Sequence, residues 1–266
     1  MRSHSGSMAD LNWDDPWVWA APLLAALSAL AVLLGPGNQD LFLTLNASSA
    51  PAGAFFWSNI TIFGNPVVAM ALVLPFAIRR PEIAWTALIA GLLTVAWVCA
   101  PKWLIGLPRP AVVLPLDSFT LFGPSLRSSP SFPSGHATTA VAIATSVALH
   151  YRRTWAGIGI ATLGVFIAYS RIAVGVHWPL DVLAGIGGGW LGAIIAYRVT
   201  QQKMCMQNCH HQRRIVALFF GPPIALLLGY DAGQPHTIVL AWIIGFTSLF
   251  AGCLGWQKSP LLQARE

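Results

Sequence analysis

The chain has 266 residues, of which 56% are hydrophobic and 9% charged, and its mean hydropathy is +0.64. A soluble protein of that size cannot bury so much apolar surface, so the composition excludes an ordinary soluble domain and makes a bilayer the solvent. The net charge of +6 falls in short Lys and Arg pairs between apolar runs, without a basic stripe; that excludes a nucleic-acid face and fits membrane topology.

Residues 1–16 are polar and carry Asp10, Asp14 and Asp15 against Arg2. The run after them, Trp17 to Leu34, is longer than the core of a typical signal peptide and reads as an uncleaved first helix. Further apolar runs of spanning length follow at Ile60 to Ile78, Ile83 to Ala100, Pro133 to Tyr151, Trp155 to Ile172, Pro179 to Tyr197, Ile215 to Tyr230 and Thr237 to Trp256. Pro66 and Pro75 interrupt the second, and Gly221, Pro222 and Pro223 lie at the centre of the short seventh. Only Gly35 to Asn59 and Pro101 to Phe132 are long connections. The fold expected is therefore all-α, a polytopic membrane helical bundle. Its parts are a cytoplasmic tail at 1–16, a membrane core at 17–200, a cytoplasmic basic loop at 201–214, additional membrane helices at 215–257 and a cytoplasmic tail at 258–266.

With the N-terminus inside, Arg2, Arg79, Arg80, Arg152, Arg153, Arg198, Lys203, Arg213, Arg214, Lys258 and Arg265 share the cytoplasmic side, eleven of the fifteen basic residues. Lys102, Arg109, Arg127 and Arg171 remain on the outer face and need another explanation. After the third run, Lys102 and Arg109-Pro110 place two cations at the outer interface with no acid nearby; an anionic substrate would neutralise them, and snorkelling at a helix end is the bland reading.

The fourth run opens with Pro133-Ser134-Gly135-His136. Proline suits a first helical turn, Gly135 permits close approach to the backbone, and a helix N-terminus offers unpaired N–H groups to phosphate, with the Ser134 hydroxyl beside it and His136 within reach of a leaving oxygen. Between the fifth and sixth runs stands Ser170-Arg171, then His177-Trp178-Pro179-Leu180-Asp181. Pro179 is a good first residue for the sixth helix, so Asp181 falls in the first turn, from which its carboxylate can reach His177, fix the tautomer and leave the other nitrogen nucleophilic. The outer ends of these runs lie on one face, so the three stretches should meet there.

Lys102-x6-Arg109-Pro110, Pro133-Ser134-Gly135-His136 and Ser170-Arg171-x5-His177-x3-Asp181 together resemble the three signature motifs of the type 2 phosphatidic acid phosphatase superfamily, complete and in order. The resemblance spans about Lys102 to Asp181 with the neighbouring helices. It implies a six-span core shared with undecaprenyl-diphosphate, phosphatidylglycerophosphate and lipid A phosphatases, whose site recurs in vanadium haloperoxidases; here two further C-terminal spans follow. It implies His177 as nucleophile, Asp181 as its orienting partner and His136 as general acid, with Lys102, Arg109, Arg171, Ser134 and the Gly135 amide binding phosphate oxygens. No metal or other cofactor is expected. The partners implied are a lipid phosphate or diphosphate, undecaprenyl diphosphate favoured, and the surrounding membrane lipids, at the extracytoplasmic face of a bacterial inner membrane. A phosphotransferase using the same phosphohistidine, or a non-catalytic lipid-binding or transport protein, are the alternatives.

Weaker signals are Cys205-Met-Gln-Asn-Cys209-His210-His211, which has metal-ligand residue types but no second pair at zinc spacing, and Gly185-x3-Gly189, which reads as close helix packing. Cys99 and Cys253 lie inside apolar runs and Cys205 and Cys209 in one loop, so no disulfide framework follows.

Overall fold

Helices make up all the regular structure among the described residues of the computed structural model, which are residue 11 and residues 14–35, 37–152, 154–202 and 209–257, the last beginning with two residues described as backbone only. The tail at 258–266, nearly all of 1–16 and the 203–208 part of the basic loop lie outside them, with Arg2, Arg153, Lys203, Lys258, Arg265 and Cys205.

In chain order the helices are α1 (Pro16–Leu34), α2 (Gly37–Ser49), α3 (Gly53–Thr61), α4 (Pro66–Ala77), α5 (Pro81–Ile105), the short α6 (Pro110–Val113), α7 (Gly135–Ala148), α8 (Trp155–Ala173), α9 (Pro179–Gln202), α10 (Cys209–Leu218), α11 (Gly221–Leu227) and α12 (Ile238–Gln257). Five are long and apolar enough to cross a membrane, namely α1, α5 with its continuation, α8, α9 and α12; a sixth crossing arises if the bent pair Gly37–Gly64 and Pro66–Ala77 counts as one. The chain is an integral membrane protein.

Three expectations need correction. Gly35 to Asn59 is not an open connection: it holds α2 and most of α3. The polar residues Asn38, Gln39, Asp40, Thr44 and Asn46 make α2 too hydrophilic to register as a spanning run. The run from Ile60 to Ile78 is bent by 67°, because Asn65 leaves helical geometry and caps α4 by accepting from the Val67 and Val68 amides, with Pro66 in the first helical position. Pro75 lies inside α4 without ending it. The run from Ile215 to Tyr230 is likewise split between α10 and α11, and Gly221, Pro222 and Pro223 open α11.

α7 lies at the centre, packed against α5, α8 and α9. Its face is made of Ala137, Thr138, Ala140, Ala142, Thr145, Ser146 and Ala148, all buried, and such small residues let neighbouring backbones approach. Across from it, a Cβ on Gly185 would lie 2.9 Å from the Ala137 Cβ, and one on Gly189 would lie 2.4 Å from the Thr138 carbonyl oxygen. Glycine at these two positions therefore sets the α7–α9 spacing, and with it the spacing of whatever their first turns carry.

Charge divides between the two ends of the bundle. At one end Arg152 approaches Asp15 at 3.8 Å and donates to the Tyr197 hydroxyl, Arg80 donates to the His150 carbonyl, and Arg198 donates to the Leu11 carbonyl. The first turns of α7 and α9 lie at the other end. The C-terminal helices clamp α4: Gly252 and Gly255 of α12 sit against Leu74 and Ile78, and α11 packs between α4 and α12.

Candidate active site

The first turn of α9 builds the centre. Pro179 starts the helix, and Asp181, in that turn, turns its Oδ2 back to accept from the Trp178 amide at 2.9 Å and to meet His177 Nδ1 at 3.2 Å. Ser131 Oγ donates to the same carboxylate oxygen. Three donors on one oxygen hold the carboxylate in place, and His177 with it. An imidazole that presents Nδ1–H to a carboxylate keeps its lone pair on Nε2.

At Nε2 stands Arg109, whose Nη1 lies 3.1 Å away and also donates to the Val176 carbonyl at 2.8 Å. The other nitrogens of this guanidinium donate to the Ser129 carbonyl and hydroxyl and to the Pro130 carbonyl. Lys102, near the end of α5, donates to the Pro130 and Ser131 carbonyls. One loop segment, Ser129 to Ser131, thus ties together both cations of the first motif and the carboxylate of the third.

Arg171 lies in the last turn of α8 and is 1% exposed. Its Nη1 donates to Thr61 Oγ1 at 2.6 Å, and its Nε is buried without a partner among the described residues. His136 Nε2 is likewise buried without a partner, and His136 lies within electrostatic reach of Arg171, His177 and Arg109. Burial, reinforced by Arg109, Arg171 and Lys102, pushes His177 well below the usual imidazole range, which favours the neutral ring.

Ser134 stands at the helix start. It is the N-cap of α7, with Pro133 outside the helix, and its Oγ accepts from the Ala137 amide at 3.4 Å. The residue is fully buried, and its amide donates to the Asp181 carbonyl at 3.0 Å, so Ser134 joins α7 to α9. Gly135 and His136 then hold the first two helical positions, whose amides have no intrahelical partner. A Cβ on Gly135 would meet only Val98 at 3.6 Å, so nothing in the protein crowds this position.

The structure therefore gathers Lys102, Arg109, Arg171, His136, His177 and Asp181 at one end of the bundle, with Ser134 and Gly135 at the adjoining helix start. Arg127 is exposed on the loop and has no side-chain hydrogen bond to the described residues. Ser129, Ser131 and Thr61 also touch these groups, and sequence reading did not find them: the serines lie in an unpatterned loop, and Thr61 lies at a helix end far from any motif. Among the described residues no three His, Cys, Asp or Glu side chains gather as metal ligands would.

Comparison with known proteins gives the same outline. The model of the PAP2 superfamily matches residues 82–205. The undecaprenyl-diphosphatase of Sulfolobus acidocaldarius is 31% identical over 192 residues, covering 66% of this chain and 87% of that protein. The lipid A 1-phosphatase of Rhizobium etli is 37% identical over 67 residues, 25% of this chain and 28% of that protein. Several matches are partial in this way, and the chain spans about a third or less of the length of such relatives, 35% in the case of YbjG of Escherichia coli K12 and 28% for the Rhizobium etli protein. The crystal structure of Aquifex aeolicus LpxE superimposes with a TM-score of 0.52 at 30% identity, covering 60% of this chain and 93% of that one.

Proposed function

The chain belongs to the PAP2 superfamily, and from that premise we propose that it is a lipid phosphatase that hydrolyses a lipid phosphate or diphosphate through a phosphohistidine on His177. The observation that carries the reading is His177 itself, neutral and buried, with Asp181 on one nitrogen and Arg109 on the other. A general base does not need a guanidinium on its lone pair. A nucleophile whose target is a phosphate does, because Arg109 can pass from Nε2 to a phosphate oxygen as the anion arrives.

In the first step the Nε2 lone pair attacks the terminal phosphorus in line, its P–O bond to the leaving group breaks (a lipid alcohol from a monophosphate, a lipid monophosphate from a diphosphate), and His136 gives the leaving oxygen its proton. In the second, water attacks the phosphoramidate, His136 takes the proton, and phosphate leaves. Lys102, Arg109, Arg171 and the amides at the start of α7 stabilise the charge that spreads over the equatorial oxygens, which is where phosphoryl transfer gains most. Ser134 joins the helices through its amide and caps α7 by accepting from the Ala137 amide, and its hydroxyl hydrogen is left to donate to a phosphate oxygen.

A lipid substrate fits the surroundings. Trp103, Leu104, Ile105 and Leu107, next to Lys102, are exposed apolar side chains, a surface along which an acyl or prenyl tail can lie while its headgroup reaches the cations. The cationic cage lies at the end opposite Arg80, Arg152 and Arg198, a distribution that by the charge rule supports an extracytoplasmic site, in bacteria the periplasmic face of the inner membrane. Undecaprenyl diphosphate is the favoured substrate, in line with the Sulfolobus acidocaldarius relative, followed by lipid A, phosphatidic acid and phosphatidylglycerophosphate. Phosphate release from a panel of these lipids by the purified protein tests the assignment: turnover of a prenyl diphosphate above the monophosphates supports it, and absence of release from every lipid contradicts it.

A further inference from the structure

The two buried arginines are held unequally. Arg109 meets three carbonyls, a hydroxyl and an imidazole. Among the described residues Arg171 has no carboxylate partner and a single hydrogen bond, to Thr61. Thr61 is fully buried and is the last residue of α3, in a part of the chain that the family model does not reach.

Beyond Thr61 the chain enters a tight turn, Ile62–Gly64, before Asn65 caps α4. Gly64 lies directly against the start of α7: a Cβ there would come within 2.8 Å of the His136 carbonyl oxygen and 3.0 Å of the His136 Cβ. One short stretch therefore touches Arg171 through Thr61 and His136 through Gly64. The turn is itself braced, because Asn65 Nδ2 reaches the Tyr230 hydroxyl at 3.4 Å and α4 is clamped by α11 and α12. The C-terminal helices thus back the turn.

We propose that Thr61 is a positioning residue. Its hydroxyl oxygen, by accepting from Arg171 Nη1, fixes the guanidinium plane so that the unpartnered Nε–H is presented to a phosphate oxygen. This rests on the phosphate reading above. The chemistry is directional: a threonine oxygen can hold one N–H of a guanidinium and so orient the rest of its fork, while a methyl of the same shape leaves the plane free to turn.

The test uses the full-length protein purified in detergent, with Thr61→Val, Thr61→Ser and Gly64→Ala variants. Binding of inorganic orthovanadate is read by calorimetry, alongside kcat and KM on the best lipid and the thermal midpoint. Loss of one charge-assisted hydrogen bond predicts about a tenfold weaker vanadate Kd and a similar fall in kcat/KM for Thr61→Val, with Thr61→Ser within about twofold of the wild type. Gly64→Ala, which presses on His136 and not on Arg171, should lower kcat and leave vanadate affinity within about twofold. A Thr61→Val protein with lowered midpoint but unchanged vanadate affinity would make Thr61 merely structural, and a Thr61→Ser protein as impaired as Thr61→Val would remove the hydroxyl from the explanation. If Thr61→Val is not recovered folded, Thr61→Cys, close in shape with a weak acceptor, carries the same comparison. Should the wild type turn over no lipid while Thr61→Val still loses vanadate, the lipid reading falls and the positioning role stands; lipid turnover by the wild type with equal vanadate binding by both overturns the positioning role alone.

Discussion

The proposed phosphate site has two sides built on different principles. On one side Lys102, Arg109, His177 and Asp181 are fastened to each other by the loop carbonyls and hydroxyls of Ser129 to Ser131. On the other, Arg171 and His136 each keep a buried nitrogen without a partner. The first side has its geometry before any ligand arrives. The second has hydrogen-bonding capacity left over, and a buried donor without a partner carries a desolvation cost that a bound oxyanion would relieve. Preorganisation and ligand capacity are thus divided between the two sides.

The largest effects should come from breaking the preorganised side. Asp181→Asn keeps the shape but puts an amide where Ser131, Trp178 and His177 all donate, so kcat should fall about a thousandfold, as expected when an orienting carboxylate is lost; steady-state assays on the best lipid read it. Arg109→Lys removes the fork that holds Ser129, Pro130 and Val176 together. It should lower kcat/KM by about a hundredfold and also lower the thermal midpoint, whereas Arg171→Lys should chiefly raise KM, by about tenfold, with little change in midpoint. Equal losses of stability in the two variants would erase the distinction between the sides.

Ser131→Ala is a smaller cut on the same side. It removes one of three donors to Asp181, and should cost about tenfold in kcat and about 1 kcal/mol in stability, measured by turnover and by thermal unfolding. The finest test is pH. Only the neutral imidazole attacks, and burial with the neighbouring cations holds His177 below its ordinary value. The acid limb of kcat/KM should therefore lie below about pH 6.5, with activity lost as pH falls through it, while the need for a protonated His136 in the first step adds a separate loss on the alkaline side. Arg109→Lys keeps the charge, so the limb should barely move; a limb at or above the ordinary histidine value in the wild type would contradict the neutral, buried nucleophile.

Legibility in the sequence followed the same division. Lys102, Arg109, His136, Arg171, His177 and Asp181 could be found because chemistry fixes their types and their short spacings along the chain, and Pro179 told where α9 begins. Ser134 shows that a cap and a ligand look alike in a sequence: α7 begins at Gly135, so the serine caps it by accepting from the Ala137 amide, and its own O–H is left to donate to a phosphate oxygen. α2, the turn Ile62–Gly64 and Thr61 were not legible. Their order comes from tertiary contacts, such as Asn46 donating to the carbonyls of Thr120, Ile172 and Ala173, and no local period encodes a contact across more than seventy residues. The bend at Asn65 was hinted at by Pro66, but a proline in an apolar run marks a helix start or a tolerated kink equally well.

The central claim is a covalent bond between His177 and phosphorus, and it can be trapped. The purified protein is mixed with lipid labelled in the phosphate to be removed, quenched within a turnover in alkaline denaturant, where a phosphoramidate survives, and digested for mass spectrometry. The account predicts label on the peptide that carries His177, labile to acid and absent from His177→Ala. Turnover with the label on another residue, or an undiminished rate in His177→Ala, would contradict it.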